Sequence, residues 1–77
     1  MARVRYFAAA EEAAGRADEH RGEVALGALL AGLTADHPAL GGILPRCAVL
    51  VDGRRSPDDT RLQDDTLVDV LPPFAGG

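Results

Sequence analysis

The chain is expected to adopt an α+β fold in which a mixed sheet is crossed by one main helix. Three observations predict it: strand-like alternation at the N-terminus, a helical leucine stripe in the middle, and short aliphatic strands separated by turn residues towards the end. At 77 residues the chain makes a single domain, residues 1–77, because chains divide only at greater lengths and there is no material for two cores.

Residues 2–8 place Ala2, Val4 and Tyr6 on one face and Arg3, Arg5 and Phe7 on the other, the alternation of a strand with its arginines outward. Residues 9–14 are Ala-Ala-Glu-Glu-Ala-Ala, strong helix formers, and Gly15 follows where a left-handed residue closes a helix. Residues 17–24 are mostly polar and read as a second strand at a sheet edge, with His20 on it. Leu26, Leu29, Leu30 and Leu33 then stand at i, i+3, i+4 and i+7, the stripe by which a helix of about three turns lies on a sheet. Gly27 and Gly32 each weaken that helix by roughly 1 kcal/mol relative to Ala, so packing must hold it. Pro38 ends it, and Gly41, Gly42 and Pro45 predict an irregular stretch.

Residues 47–51, Cys-Ala-Val-Leu-Val, form an apolar run between Pro45 and Asp52-Gly53, the pattern of a buried strand feeding a tight turn, with a return strand at 54–56. Pro57-Asp58-Asp59 opens a polar loop anchored by Leu62, and residues 66–71 supply a last strand of β-branched and aliphatic residues that Pro72 and Pro73 stop. In this order the first strand is central and parallel to the last, while hairpins supply antiparallel neighbours. One long helix crossing such a sheet is the β-grasp arrangement.

Apolar residues make up 47% and charged residues 26%, which excludes a disordered chain, a collagen-like repeat and a disulfide scaffold. Alanine supplies 14 of the apolar residues, so the core is thin. Eight Arg and no Lys against twelve acids give a net charge of -4. That balance argues against nucleic acid and anionic membrane as partners and favours basic protein surfaces. The single Cys47 allows no internal disulfide, and neither a secretory leader nor a membrane span is visible, so the expected location is the cytoplasm. Cys47 opens an apolar run and reads as a small core residue. His20 and His37 lack paired ligand spacing, so no metal is expected. Asp58-Asp59 and Asp64-Asp65 read as solvated loop charges.

The end of the chain carries the chemistry. Pro72-Pro73-Phe74-Ala75-Gly76-Gly77 follows the last strand, and two prolines without amide hydrogens predict a stiff projecting tail over 72–77. At about 3.3 Å per residue, Pro73 through Gly77 reach roughly 16 Å, enough to enter another protein's active site. Gly76 and Gly77 have no side chains, so a narrow channel admits them. A carboxylate is a poor electrophile at neutral pH and needs activation, most economically as an acyl-adenylate made from ATP. Attack by a sulfur donor then leaves a thiocarboxylate. Phe74, beyond both prolines, reads as an interface anchor.

The chain resembles the ubiquitin-like sulfur carriers, and among them the small subunits of molybdopterin synthase. The residues that carry the likeness are Val4-Arg5-Tyr6-Phe7-Ala8, Ala13-Ala14-Gly15, the Leu26-Leu29-Leu30 helix, Val49-Leu50-Val51-Asp52-Gly53, Leu62 to Val68 and the closing Leu71 to Gly77. The resemblance implies that an ATP-dependent adenylyltransferase related to ubiquitin-activating enzymes adenylates Gly77, and that a persulfide donor supplies sulfur. The tail residues Pro73, Phe74, Ala75 and Gly76 then enter the large subunit of molybdopterin synthase, where sulfur passes to cyclic pyranopterin monophosphate. On this reading the chain binds no cofactor itself and is active only with that large subunit. The family's apolar docking patch maps to Phe7, Arg55 and Leu71, with Arg55 departing from the usual apolar residue. Two other readings share the same tail: a sulfur carrier for thiamine thiazole or cysteine biosynthesis, and a protein tag or interaction module without sulfur chemistry.

Overall fold

The computed structural model describes residues 1–73. Within them, strand β1 (Ala2–Tyr6) buries Ala2, Val4 and Tyr6 and turns Arg3 and Arg5 away from the core, as its alternation dictates. Helix α1 (Ala9–Ala14) follows at once and closes on Gly15 at φ 75°. Ala8, which leads into it, holds φ 50° and ψ -123°, a conformation L-residues rarely adopt. Strand β2 (Asp18–Arg21) then lies antiparallel to β1.

Helix α2 (Leu26–Asp36) buries Leu26, Leu29 and Leu33, whereas Leu30 is half-buried beside the core. Its first turn has no side-chain cap. The free amides of Leu26 and Gly27 instead donate to the Thr60 and Asp58 carbonyls at 2.9 and 2.8 Å, so the polar loop serves as the cap. Leu62, 8% exposed, fixes that loop to the core.

The stretch after α2 is more ordered than its glycines and prolines predict. Pro38–Gly41 forms helix α3, and Leu44–Arg46 forms a 3₁₀ turn. Proline at the first helical position has no amide to lose there, and buried Leu40 and Leu44 hold the segment against the core.

Strands β3 (Ala48–Val51) and β4 (Arg54–Arg55) are joined by Asp52-Gly53, whose φ values of 49° and 83° suit the tight turn that matches strand twist. Cys47 caps the 3₁₀ turn rather than opening β3. Strand β5 (Leu67–Leu71) completes a sheet of order β2-β1-β5-β3-β4, in which β1 and β5 are parallel and the other pairs antiparallel. The buried leucines of the helices pack with Val4, Tyr6, Val68 and Val70, the inner-face residues of the two central strands. This is the β-grasp arrangement.

Candidate functional site

Strand register decides which side chains share the outer face of the sheet, the side away from this core. Arg5 pairs with Asp69, Asp69 with Leu50, and Leu50 with Arg55, giving one row across four strands. Leu71 pairs with Ala48 on the same side. Phe7 follows β1 in outward phase, and its amide donates to the Val70 carbonyl at 3.2 Å. Phe7, Leu71 and Arg55 therefore share the uncovered face, the first two half-buried and the third exposed.

A two-pronged charge pair lies inside this face. Arg5 donates from Nε to Asp69 Oδ1 at 2.7 Å and from its second nitrogen to Oδ2 at 2.9 Å, a fork that matches the carboxylate. Those hydrogen bonds raise the guanidinium pKa above its ordinary value. The same guanidinium carbon stands 5.5 Å from the centre of the Phe7 ring, within cation–π range. Arg3 similarly pairs with Asp18 at 2.5 Å and holds that carboxyl below its usual range.

The root of the tail adjoins this face. Parallel pairing of β5 with β1 carries the end of β5 to the side where β1 hands over to α1. Pro72 is buried and Pro73 exposed, so Pro72 is part of the body. A groove of about 160 Å³ lies there, bounded by Ala9, Ile43, Arg46, Pro72 and Pro73. Phe74, Ala75, Gly76 and Gly77, the other proposed tail residues, lie outside the described residues.

A polar cluster that the sequence did not announce joins β2 to the end of α2. Glu19 accepts the Tyr6 hydroxyl at 2.6 Å and lies 2.7 Å from His37 Nε2, while Arg21 binds Glu23 at 2.5 Å and Asp36 at 2.7 Å. Burial raises the Glu19 pKa, and hydrogen bonds from Tyr6 and His37 more than reverse that, leaving it below its ordinary value. Burial and then Glu19 push the Tyr6 phenol upward. The available signal was Glu19 and Arg21 alternating on the inner side of an edge strand, a device that discourages further strand pairing. All these groups are mutually satisfied, so the cluster fastens the edge and offers no reactive atom. The broader concavity beside it, bounded by Met1 and residues 19–23, is open and lies along the sheet edge opposite β4.

Cys47 is half-buried and donates to the Ile43 carbonyl at 3.3 Å, and burial raises its pKa, the reverse of what a reactive thiolate needs. Among the described residues, no group of three His, Cys, Asp or Glu side chains is placed to hold a metal ion, and no helix is long and apolar enough to cross a membrane.

Residues 4–77 match the ThiS family. The chain is 36% identical over 81 residues to a molybdopterin synthase sulfur carrier subunit from Chlamydomonas reinhardtii, covering 97% of this chain and 96% of that protein. A putative molybdopterin converting factor subunit 1 from Pyrococcus furiosus superposes with a TM-score of 0.82 at 24% identity, over 95% of this chain and 97% of that one. A structure of the complex of molybdopterin-converting factor subunits 1 and 2 from Helicobacter pylori contains a similar chain, with a TM-score of 0.75, 25% identity and coverage of 99% and 97%.

Proposed function

The chain belongs to the ThiS family, and from that premise we propose that it is a sulfur carrier of the molybdopterin synthase small-subunit type, working with a separate large subunit. The observation that carries this reading is the 36% identity, over nearly the whole of both chains, with a molybdopterin synthase sulfur carrier subunit. It is joined by a sequence that runs from the central strand through Pro72-Pro73 to Gly76-Gly77.

The chemistry follows from what a carboxylate needs. An ATP-dependent adenylyltransferase joins AMP to the Gly77 carboxylate and releases pyrophosphate. A persulfide sulfur attacks the acyl carbon, AMP leaves, and reduction of the sulfur–sulfur bond by a thiol frees a thiocarboxylate. Pro73, Phe74, Ala75 and Gly76 carry that group into the large subunit, while Phe7, Leu71 and Arg55 dock the body on it. Sulfur then passes to cyclic pyranopterin monophosphate. ATP is bound by the activating partner, and the folded body of this chain acts as a handle for its own terminus.

The test is intact mass after incubation with the activating enzyme, ATP and a sulfur source. The expected result is a gain equal to exchange of one oxygen for sulfur, which deletion of Gly77 abolishes. An unchanged mass in the presence of an activating enzyme that adenylates the chain would refute the sulfur reading.

A further inference from the structure

The arginines divide into two groups. Arg3, Arg5, Arg16 and Arg21 are all in ion pairs, and all lie on or beside β1 and β2. Among the described residues, no carboxylate lies within ion-pair distance of Arg46, Arg54, Arg55 or Arg61. Two of these four border apolar residues. Arg55 ends the outer-face row beside Leu50, and Arg46 borders the groove with Ile43, Pro72 and Pro73.

The acids do not compensate them. Asp69, within the same face, is engaged by Arg5. Asp64 holds the chain's N-terminal amine, and Asp36, Glu19 and Glu23 are committed to Arg21. Glu11 and Glu12 are exposed on α1, and neither is paired with Arg46. The whole chain is acidic, yet Arg46 at the groove and Arg55 on the outer face stand beside apolar residues with no ion-pair partner among the described residues.

We infer that this surface receives a partner protein whose contact region is apolar at its centre and acidic at its rim, facing Arg46 and Arg55. The inference rests on the reading above and adds the chemistry of the partner. It reverses the expectation from net charge, because docking depends on the charges that become desolvated and not on the sum over the molecule. A basic surface would bury guanidinium against cation, a strongly unfavourable contact, whereas carboxylates at the rim would complete two fork-shaped pairs. Arginine suits the position because its stem lies along apolar surface while its head reaches out.

The test measures association of the full chain with the large subunit of molybdopterin synthase from the same source, at about 50 and about 300 mM salt. Wild-type protein is expected to bind less tightly at the higher salt. Arg46→Glu/Arg55→Glu should weaken binding at low salt by about tenfold or more, mainly through slower association. Arg46→Gln/Arg55→Gln should flatten the salt dependence, Arg46→Lys/Arg55→Lys should retain it, and Arg61→Glu, remote from the tail, should bind like wild type. Each variant is first checked for an unchanged thermal midpoint, and the glutamine and lysine pairs keep the test decisive if charge reversal unfolds the domain. Equal binding by the wild type and the glutamine and glutamate variants would overturn the inference, as would an equal loss in Arg61→Glu. Intact mass separates the two readings: a wild type that gains sulfur and binds regardless of residues 46 and 55 overturns this inference alone. One that gains no sulfur overturns the carrier reading as well.

Discussion

The Arg5 guanidinium and the Asp69 carboxylate meet side by side across the parallel β1–β5 pair, with two hydrogen bonds of 2.7 and 2.9 Å. Each charge enters the outer face already matched by the other, so the apolar residues around them form a usable surface. Replacing Arg5 by Met alone leaves Asp69 without its partner on a half-buried strand. The expected outcome is that Arg5→Met lowers the thermal midpoint more than Arg5→Met/Asp69→Asn does, and a double-mutant cycle of thermal melts reads the coupling directly. Additive effects would contradict the pairing.

Leu29 is fully buried and Leu30 only half-buried, although both belong to the same leucine stripe. Leu29→Ala is expected to destabilise the domain by about 3 kcal/mol through lost burial and the cavity left behind. Leu30→Ala should lose only about 1 kcal/mol, since much of its surface is already wet. Urea unfolding of the two variants measures both, and equal losses would refute the helix orientation.

Ala8 is exposed and stands at φ 50° and ψ -123°, a region that favours glycine. Ala8→Gly is therefore expected to stabilise the fold by up to about 1 kcal/mol: strain of roughly 1–3 kcal/mol is relieved against glycine's added unfolded-state freedom. The direction is opposite to the ordinary effect of Ala→Gly, and a lower urea midpoint would show that the turn is unstrained.

Glu19 binds its proton more weakly in the folded protein than the ordinary value of 4.5 implies. Such a group adds stability above its unfolded pKa and loses that contribution as pH falls through the lower folded value. Wild-type stability should therefore decline on acidification below about pH 4.5, and Glu19→Gln should flatten part of that decline. Asp18, Glu23 and Asp64, also lowered by cationic partners, retain the rest. Urea midpoints at about pH 6 and about pH 3 test this, with the gap between the two proteins expected to narrow at the lower pH.

Extending the chain beyond Gly77 by a few residues should leave the thermal midpoint unchanged and abolish the gain in mass, because the body is complete by Pro72 while the proposed chemistry needs a free terminal carboxylate. An extended protein that still takes up sulfur without trimming would remove the terminus from the mechanism.

The strands and α2 were legible because their signals are local: period-two alternation in β1, the leucine spacing of α2, and Asp-Gly at a two-residue turn. Helix α3 and the 3₁₀ turn were not, since Pro38, Gly41, Gly42 and Pro45 speak locally for a loop while Leu40 and Leu44 find their burial only in the assembled core. The shared face of Phe7, Leu71 and Arg55 followed from family resemblance, and strand register gives it a physical basis. Arg46 escaped notice because residues 9, 43, 46 and 72 come together only through the sheet's topology. The union of Tyr6, Glu19 and His37 was equally remote, linking three separate elements.

Strand β5 lies third in a sheet of five, hydrogen-bonded on both sides, and buried Pro72 follows it directly. A pull applied to the chain beyond Pro72 is thus delivered to a strand moored on both sides, and two ladders must yield before it is freed. An edge strand under the same tension would peel one bond at a time. A last strand bonded on both flanks therefore holds the body together under a load that would strip a strand at the margin.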